Sequence, residues 1–549
     1  MRSLAPLCLG FSLALGCASE DPYDGLSNDG SELGETGGED EGVDNRVPAH
    51  GVRIGKVYAN QAVRVTVGDG AEAVPLHTAP LVKGKKTLLR GMIEVEEGWV
   101  PRELEAEVRL VYADNSEEST SFGLMVNGNS EDGDPGSSIF APIPGDLIEP
   151  GMKFQLRLFD KDASMEGEPL FGAVESPSSP ALLGIESQEL GIDVVLVPIF
   201  HDLGSACPEA PAPTEIDMQL LSQRLLAHNP ADHVNISVGP TLTYSASVSN
   251  GFGFMLDFIA QTREEMGAPS GEYWYGIIRT CGETPMVPGV GAIDGQAIAV
   301  NDFNFIDDPS LRVAAGRWRT DVLTNGTVEV EKSVQDTFVH EIGHTQGRAH
   351  SPCDAPGADN DYPYPDADIG VWGFDTINNL YYSPTSRKDY MSYCNPVWVS
   401  DYVYLQVYPF ISTISGWDTG DTPPSDDLEL LLYGMINTAG EVAWRTRAGI
   451  LPSIDAPDVS VLFDGAPAPA IFLSPSEALS GGLLITRVPD AWRHQERDYL
   501  VLAPGDGEFD VSLPGFQGHF SIAAVRERAA VSRARAQTAL QDAQTQVHH

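Results

Sequence analysis

The chain has 549 residues, 42% of them hydrophobic, and a formal net charge of -46. That length exceeds what one compact core usually serves, so roughly two to four domains are expected. So large an acidic excess repels a phosphate backbone and argues against nucleic acid as a partner, while it fits equally an extracellular protein or one that prefers basic substrates.

The first residues read as a targeting segment. Met1-Arg2-Ser3 is a weakly positive start, Leu4 to Leu15 is an apolar run too short to span a membrane, and Leu13-Ala14-Leu15-Gly16-Cys17 resembles a bacterial lipobox. Cleavage before Cys17 predicts a lipid anchor on the cell envelope, at the outer membrane or cell surface. Cleavage near Ala18 predicts a secreted protein. Both readings export the chain, with membrane contact only through the lipid. Residues 18–50 are rich in Glu, Asp, Gly and Ser and read as a disordered acidic tether. With Cys8 removed and Cys17 lipidated, the mature chain keeps Cys207, Cys281, Cys353 and Cys394. An even number in an exported protein points to two disulfides, and no CxxC spacing supports the alternative of a four-cysteine zinc site.

From 51 to 187 short β-branched runs alternate with turn clusters: Val63 to Val67, Leu88 to Val95, Leu104 to Tyr112 and Met152 to Phe159, with a polar loop at Asn127 to Ser138. This pattern predicts a β-sandwich-like domain, serving either as an adhesive module or as a spacer and folding partner. From 188 longer elements alternate: strands at Ile192 to Phe200, His233 to Val238 and Tyr273 to Arg279, and helices at Thr214 to Ala227 and Gly253 to Met266. A further strand is expected within Gly295 to Asn301.

The segment Val334 to His350, VQDTFVHEIGHTQGRAH, carries the chemistry. Val334, Phe338 and Ile342 recur four apart, and Ser333 with Asp336 resembles a capping box, so a helix beginning near Val334 is expected. On it His340 and His344 project from one face, able to grip one ion. Gly347 can end the helix in a left-handed turn, and His350 then arrives as a third ligand. Three imidazoles leave a position for water, as in catalytic rather than structural zinc sites. Glu341 is placed to take a proton from that water.

His340, Glu341, His344, Gly347 and His350 stand at the spacing HExxHxxGxxH, and the segment resembles the metzincin zinc proteases. The resemblance extends to Asp389-Tyr390-Met391-Ser392-Tyr393-Cys394, which is similar to that family's methionine turn. It implies that Met391 forms a floor under the metal and that Tyr393 approaches the zinc or the transition-state oxyanion. It also implies that Cys353 and Cys394 are neighbours, leaving Cys207 with Cys281 as the second pair. Residues 51–187 lack a cysteine able to plug the zinc, so a cysteine-switch propeptide is not expected. In the family the strand before the zinc helix pairs with an extended peptide, and Gln296 to Val300 is the candidate here.

Between His350 and Met391 runs an acidic, aromatic loop from Asp359 to Asp368. Its carboxylates read either as solvated or as calcium ligands, although no EF-hand order supports calcium. Tyr362, Tyr364 and Trp372 are candidates for shaping the cleft. His201, His228 and His233 have no motif around them and read as structural or surface residues. Strands recur at Val442 to Trp444, Val459 to Phe463, Leu483 to Val488, Tyr499 to Leu502 and Phe520 to Val525, predicting a further β-rich domain before an Ala- and Arg-rich helix or frayed tail. His548 and His549 can bind metal adventitiously.

The expected organisation is a lipoprotein-type signal peptide (1–17), a tether (18–50), a β-sandwich-like domain (51–187), a metzincin-like zinc peptidase domain (188–416), a linker (417–427), a C-terminal β-rich domain (428–526) and a tail (527–549). The expected fold class is an α+β metzincin-like catalytic domain, a mixed sheet with a zinc-binding active-site helix, flanked by all-β sandwich-like domains. The function it implies is zinc-dependent hydrolysis of peptide bonds in protein or glycoprotein substrates. The alternative is a surface adhesion or glycan-binding lipoprotein that no longer cleaves.

Overall fold

The computed structural model describes residues 45–162, 169–204, 206–298, 305–322, 328–418, 429–451, 459–473, 481–496, 499–502, 507–513 and 516–546. Cys8, Cys17, Val300, Asn301, His548, His549 and most of the tether and linker lie outside them.

Two antiparallel five-stranded sheets come first. One runs Glu72–Ala73, Arg64–Asp69, Val52–Asn60, Thr87–Val95, Ile139–Ile143. The other runs Val47–Pro48, Lys153–Asp160, Arg102–Val111, Glu117–Val126, with Glu175–Leu182 also on Lys153–Asp160. Leu104, Ala106, Val108 and Leu110 are buried at alternate positions, as are Phe154, Leu156 and Leu158, so the period of two sets the inner faces. Glu117–Val126 escapes a sequence reading because its first half is polar, and Glu175–Leu182 because it contains Pro177 and Pro180, which suit an edge.

Next, β1 (Gly191–His201), β2 (His233–Val238), β3 (Leu242–Tyr244), β4 (Tyr273–Ile278), β5 (Gly295–Ala297) and β6 (Val313–Arg317) form a mixed sheet in the order β2-β1-β4-β6-β5, with β3 also on β1. Every pairing is parallel except β5 with β6. Val194, Val195, Leu196, Val197 and Ile199 are all buried, as expected where helices cover both faces of a parallel sheet. The helices are α1 (Met218–His228), capped by Asp217 accepting from the Leu220 amide (2.9 Å), α2 (Gly253–Glu265), α3 (Lys332–Thr345) and α4 (Asp401–Asp418). The expected capping box of α3 does not form: Asp336 pairs with Arg224 and Lys332, each at 2.7 Å, and the cap residue is Glu331, whose carboxylate accepts from Arg319 and the Ser333 hydroxyl rather than from a helix amide. Helix α4 was not anticipated, because YVYLQVYPF reads as strand.

After it, Val442–Gly449, Glu429–Ile436, Gly482–Arg487 and Ala470–Leu473 make one four-stranded sheet, and Ala466–Ala468, Ser460–Phe463, Glu508–Leu513 and Phe516–Ser521 another. The strand expected from Phe520 to Val525 is corrected: it ends at Ser521, and α5 (Ile522–Gln546) begins, built from the strong helix formers Ala, Arg and Gln.

The expected fold class is also corrected. Strand accounts for 41% of the structure and helix for 21%, spread over many small sheets, so the molecule is mostly β rather than an α+β metzincin-like domain between sandwiches. The physical reason is visible in single strands. Leu430 and Leu432 face one apolar cluster with Trp444 and Phe509, while Leu431 and Tyr433 face another with Leu256, Trp274 and Val313. The C-terminal sheet is therefore buried on both faces, and one face is closed by the central sheet and α2. A third cluster likewise runs without a break from Ala49 through Leu156 and Phe338 to Ile414.

Candidate metal centre

Helix α3 carries His340 and His344 four residues apart, on one face. Gly347 (φ +81°) takes the left-handed conformation that ends the helix. The chain then returns through His350, which bridges to Ala358. Three Nε2 atoms meet as a result: that of His344 lies 3.1 Å from those of His340 and His350.

The remaining ring nitrogens are all committed. Nδ1–H of His340 donates to the Tyr390 carbonyl (2.8 Å), that of His344 to Arg348 (2.7 Å) and that of His350 to Pro356 (2.8 Å). A carbonyl only accepts, so each Nδ1 carries the proton and each Nε2 presents a lone pair. Burial drives the pKa of all three rings down, His340 to about 3, and neighbouring imidazoles add to this for His340 and His344. Three neutral rings thus aim lone pairs at one point, an arrangement that repels unless a cation lies there. Nitrogens bonded to zinc at about 2.0–2.1 Å with tetrahedral angles stand about 3.3 Å apart, so this donor set fits a zinc ion.

Glu341 is buried, and burial raises its carboxyl pKa well above the ordinary range. It lies against β5: a Cβ at Gly295 would stand 2.6 Å from its Oε1, so only glycine allows the approach. The Tyr393 ring is 4.9 Å from that of His350 and 5.9 Å from that of His340. Burial pushes its hydroxyl pKa up, with the Glu341 charge adding to the shift. Met391 is fully buried, its Sδ packed against Gly343 of α3. The cleft is completed by Val287, Val290, Ile293 and Gln296.

Two disulfides form, Cys353–Cys394 and Cys207–Cys281. The first sits beside the site, where the Cys353 carbonyl accepts from the Tyr393 amide (3.1 Å). Although Cys353, Asp354 and Cys394 are close enough to form a ligand group, the disulfide occupies both sulfurs.

Other candidate residues lie elsewhere. Tyr362 packs on Tyr364 and Tyr402, and Trp372 stacks on Tyr381 at 4.8 Å, away from the cleft. Asp359 accepts from Tyr402 and Asp368 pairs with Lys388, and among the described residues the acidic loop gathers no cation-sized group. His201 accepts from the Cys281 amide (3.0 Å), His228 packs on Trp398 at 4.6 Å, and His233 pairs with Asp232. Sequence reasoning missed Asp389, whose carboxylate binds the Met391 amide (2.8 Å) and the Ser351 hydroxyl (2.9 Å) through Oδ1 and the Ser400 amide (2.8 Å) through Oδ2. Its signal was its place between the third histidine and Met391. The carbonyls that orient the rings leave no signal in side-chain identity.

The arrangement is that of a metal-dependent hydrolase: three histidines able to hold a metal, a carboxylate beside them and an open cleft. Residues 322–399 match the family Peptidase M66, and this segment contains the three histidines, Glu341, Met391 and Tyr393. The match supports a peptidase. No curated protein matches the chain. Two solved structures align over 86% of it: a glycosyl hydrolase family 2 member from Bacteroides cellulosilyticus DSM 14838 (10% identity, 90% of that chain, TM-score 0.14) and a putative beta-galactosidase from Bacteroides fragilis (11%, 73%, 0.13). Scores this low bear on neither fold nor function.

Proposed function

We propose that this chain is an exported zinc endopeptidase acting on proteins or glycoproteins. The observation that carries the reading is the meeting of three buried, neutral imidazole lone pairs beside the Glu341 carboxyl. The HExxHxxGxxH spacing, which is that of the metzincin zinc site, and the Peptidase M66 match support it. His340, His344 and His350 hold the zinc, which when bound supplies a Lewis acid that polarises the scissile carbonyl and acidifies water. Glu341 accepts the proton of the attacking water and returns it to the leaving amine, and burial keeps its carboxyl ready to hold that proton. Tyr393 keeps its own proton and donates a hydrogen bond to the oxyanion. The edge of β5 that carries no strand among the described residues binds the substrate main chain as an added strand.

Two disulfides fit an oxidising compartment, and among the described residues no helix is long and apolar enough to cross a membrane. Our reading adds a lipid anchor at Cys17, tested by detergent partitioning of wild type against Cys17→Ser. The function is tested by casein digestion with and without a chelator, paired with zinc analysis. Glu341→Ala should keep about one zinc per chain and lose roughly 100- to 10,000-fold in turnover. His344→Ala should lose both metal and turnover. Zinc-loaded wild type that cleaves no protein would leave the non-catalytic adhesion reading in its place.

A further inference from the structure

We infer that the C-terminal sheet completes the substrate cleft, forming an apolar subsite for a side chain two to four residues N-terminal to the scissile bond. The inference rests on the peptidase reading above. A second pocket opens where Glu429–Ile436, Ala470–Leu473 and Gly482–Arg487 meet α2 and β5. Its walls are Leu256, Ile298, Met435, Leu473 and Leu483, and its rim is Asn250, Asn437 and Thr438. That is the composition of a ligand pocket: mostly apolar, with a few polar groups at the mouth.

Val287, Gln296 and Ala297 line both this cavity and the metal cleft, so the two are parts of one groove along β5. Gln296 is fixed at the junction, its Oε1 accepting from the Phe252 amide at the start of α2 (2.7 Å). Among the described residues β5 pairs only with β6, which leaves its other edge open to a peptide. An antiparallel peptide, the more stable pairing, runs against β5 and places its N-terminal side toward Ile298. Gly295 sits at Glu341 and Ile298 lies three residues on, about 10 Å along a strand, which sets the two-to-four-residue offset. The substrates favoured are therefore peptides with Leu, Met or Phe at that position.

The test uses quenched fluorescent peptides that vary only there, with wild type, Met435→Ala to widen the pocket and Thr438→Trp to block its half-exposed mouth. Wild type should prefer Leu or Phe over Gly by roughly 10- to 200-fold in kcat/KM. Thr438→Trp should reduce that ratio severalfold, and Met435→Ala should shift it toward Phe. Binding of the same peptides to zinc-loaded Glu341→Gln, read by anisotropy, should follow the same order and weaken with Thr438→Trp. Cleavage without an apolar preference at one such position, or with a preference neither variant moves, overturns the subsite and leaves the peptidase reading standing. No cleavage of any peptide by the zinc-loaded chain overturns both.

Discussion

Asp389 touches no ligand ring, yet the geometry of the third ligand depends on it. One carboxylate oxygen holds both the Met391 amide and the hydroxyl of Ser351, the residue after His350, and the other holds the Ser400 amide where α4 begins. Asp389→Ala leaves three buried donors unpaired, each costing about 1–3 kcal/mol. Because Ser351 and Met391 flank the rings, the loss should appear in the metal as well as in the fold. Zinc affinity, measured by competition with a chromophoric chelator, is expected to fall roughly 10- to 100-fold, as for other groups that orient ligands. An unchanged affinity with lowered stability would show Asp389 to be structural only. Tyr393→Phe is expected to be milder than Glu341→Ala, since the carbonyl is still polarised without the phenol; zinc content should not change, and kcat should fall more than KM rises.

At the scale of elements, the Cys353–Cys394 disulfide ties the segment after His350 to the turn that carries Met391. It closes a loop of 41 residues, which loop-closure entropy values at about 4 kcal/mol. Cys353→Ser with Cys394→Ser is expected to lower the unfolding free energy by an amount of that order and to loosen Tyr393, whose amide bonds the Cys353 carbonyl. Urea unfolding in chelator isolates this effect from metal binding, and an unchanged midpoint would contradict it. The same segment shows what sequence can and cannot carry. Helix α3 was legible because His340 and His344 at an offset of four make sense only on a helix. The acceptors on Tyr390, Arg348 and Pro356 were not legible, because a carbonyl has no residue identity. Helix α4 was hidden by β-branched and aromatic residues, although Val403, Val407, Phe410, Ile411 and Ile414 keep helical spacing and are all buried. The fold class failed for a related reason. Leu430 to Tyr433 is an unbroken apolar run, so no alternation marks it as a strand or reveals that its two faces serve different cores.

At the scale of the whole molecule, the position of the C-terminal sheet over the cleft is held by a knot of buried charge. Arg445 pairs with Asp257 of α2 (2.7 Å) and donates to Ser310 (3.1 Å), while Arg447 pairs with Asp308 and the Tyr433 hydroxyl donates to Asp308 (2.6 Å). Burial pushes the Asp308 carboxyl up, but Arg447, Tyr433, Arg445 and Ser310 outweigh it and bring its pKa to about 2. A carboxyl held lower in the fold than in the unfolded chain contributes stability that is complete above about pH 4 and lost as pH falls through about 2. The difference is worth on the order of 2 kcal/mol. For Asp257 burial dominates over Arg445 and raises the pKa, so its contribution has the opposite sign: its cost is present once the group ionises and is relieved in acid. Asp308→Asn therefore separates the two. In chelator at pH 7 it should be less stable than wild type by at least that amount, since Arg447 loses its partner, and the gap should narrow steadily between pH 4 and pH 2. Hydrogen exchange in Val442–Gly449 should show the same convergence, because those amides lie on the strand that carries both arginines. A gap that stayed constant down to pH 2 would mean that Asp308 does not take up its proton over that range as argued, leaving the Arg445–Asp257 pair and the apolar contacts to seat the sheet.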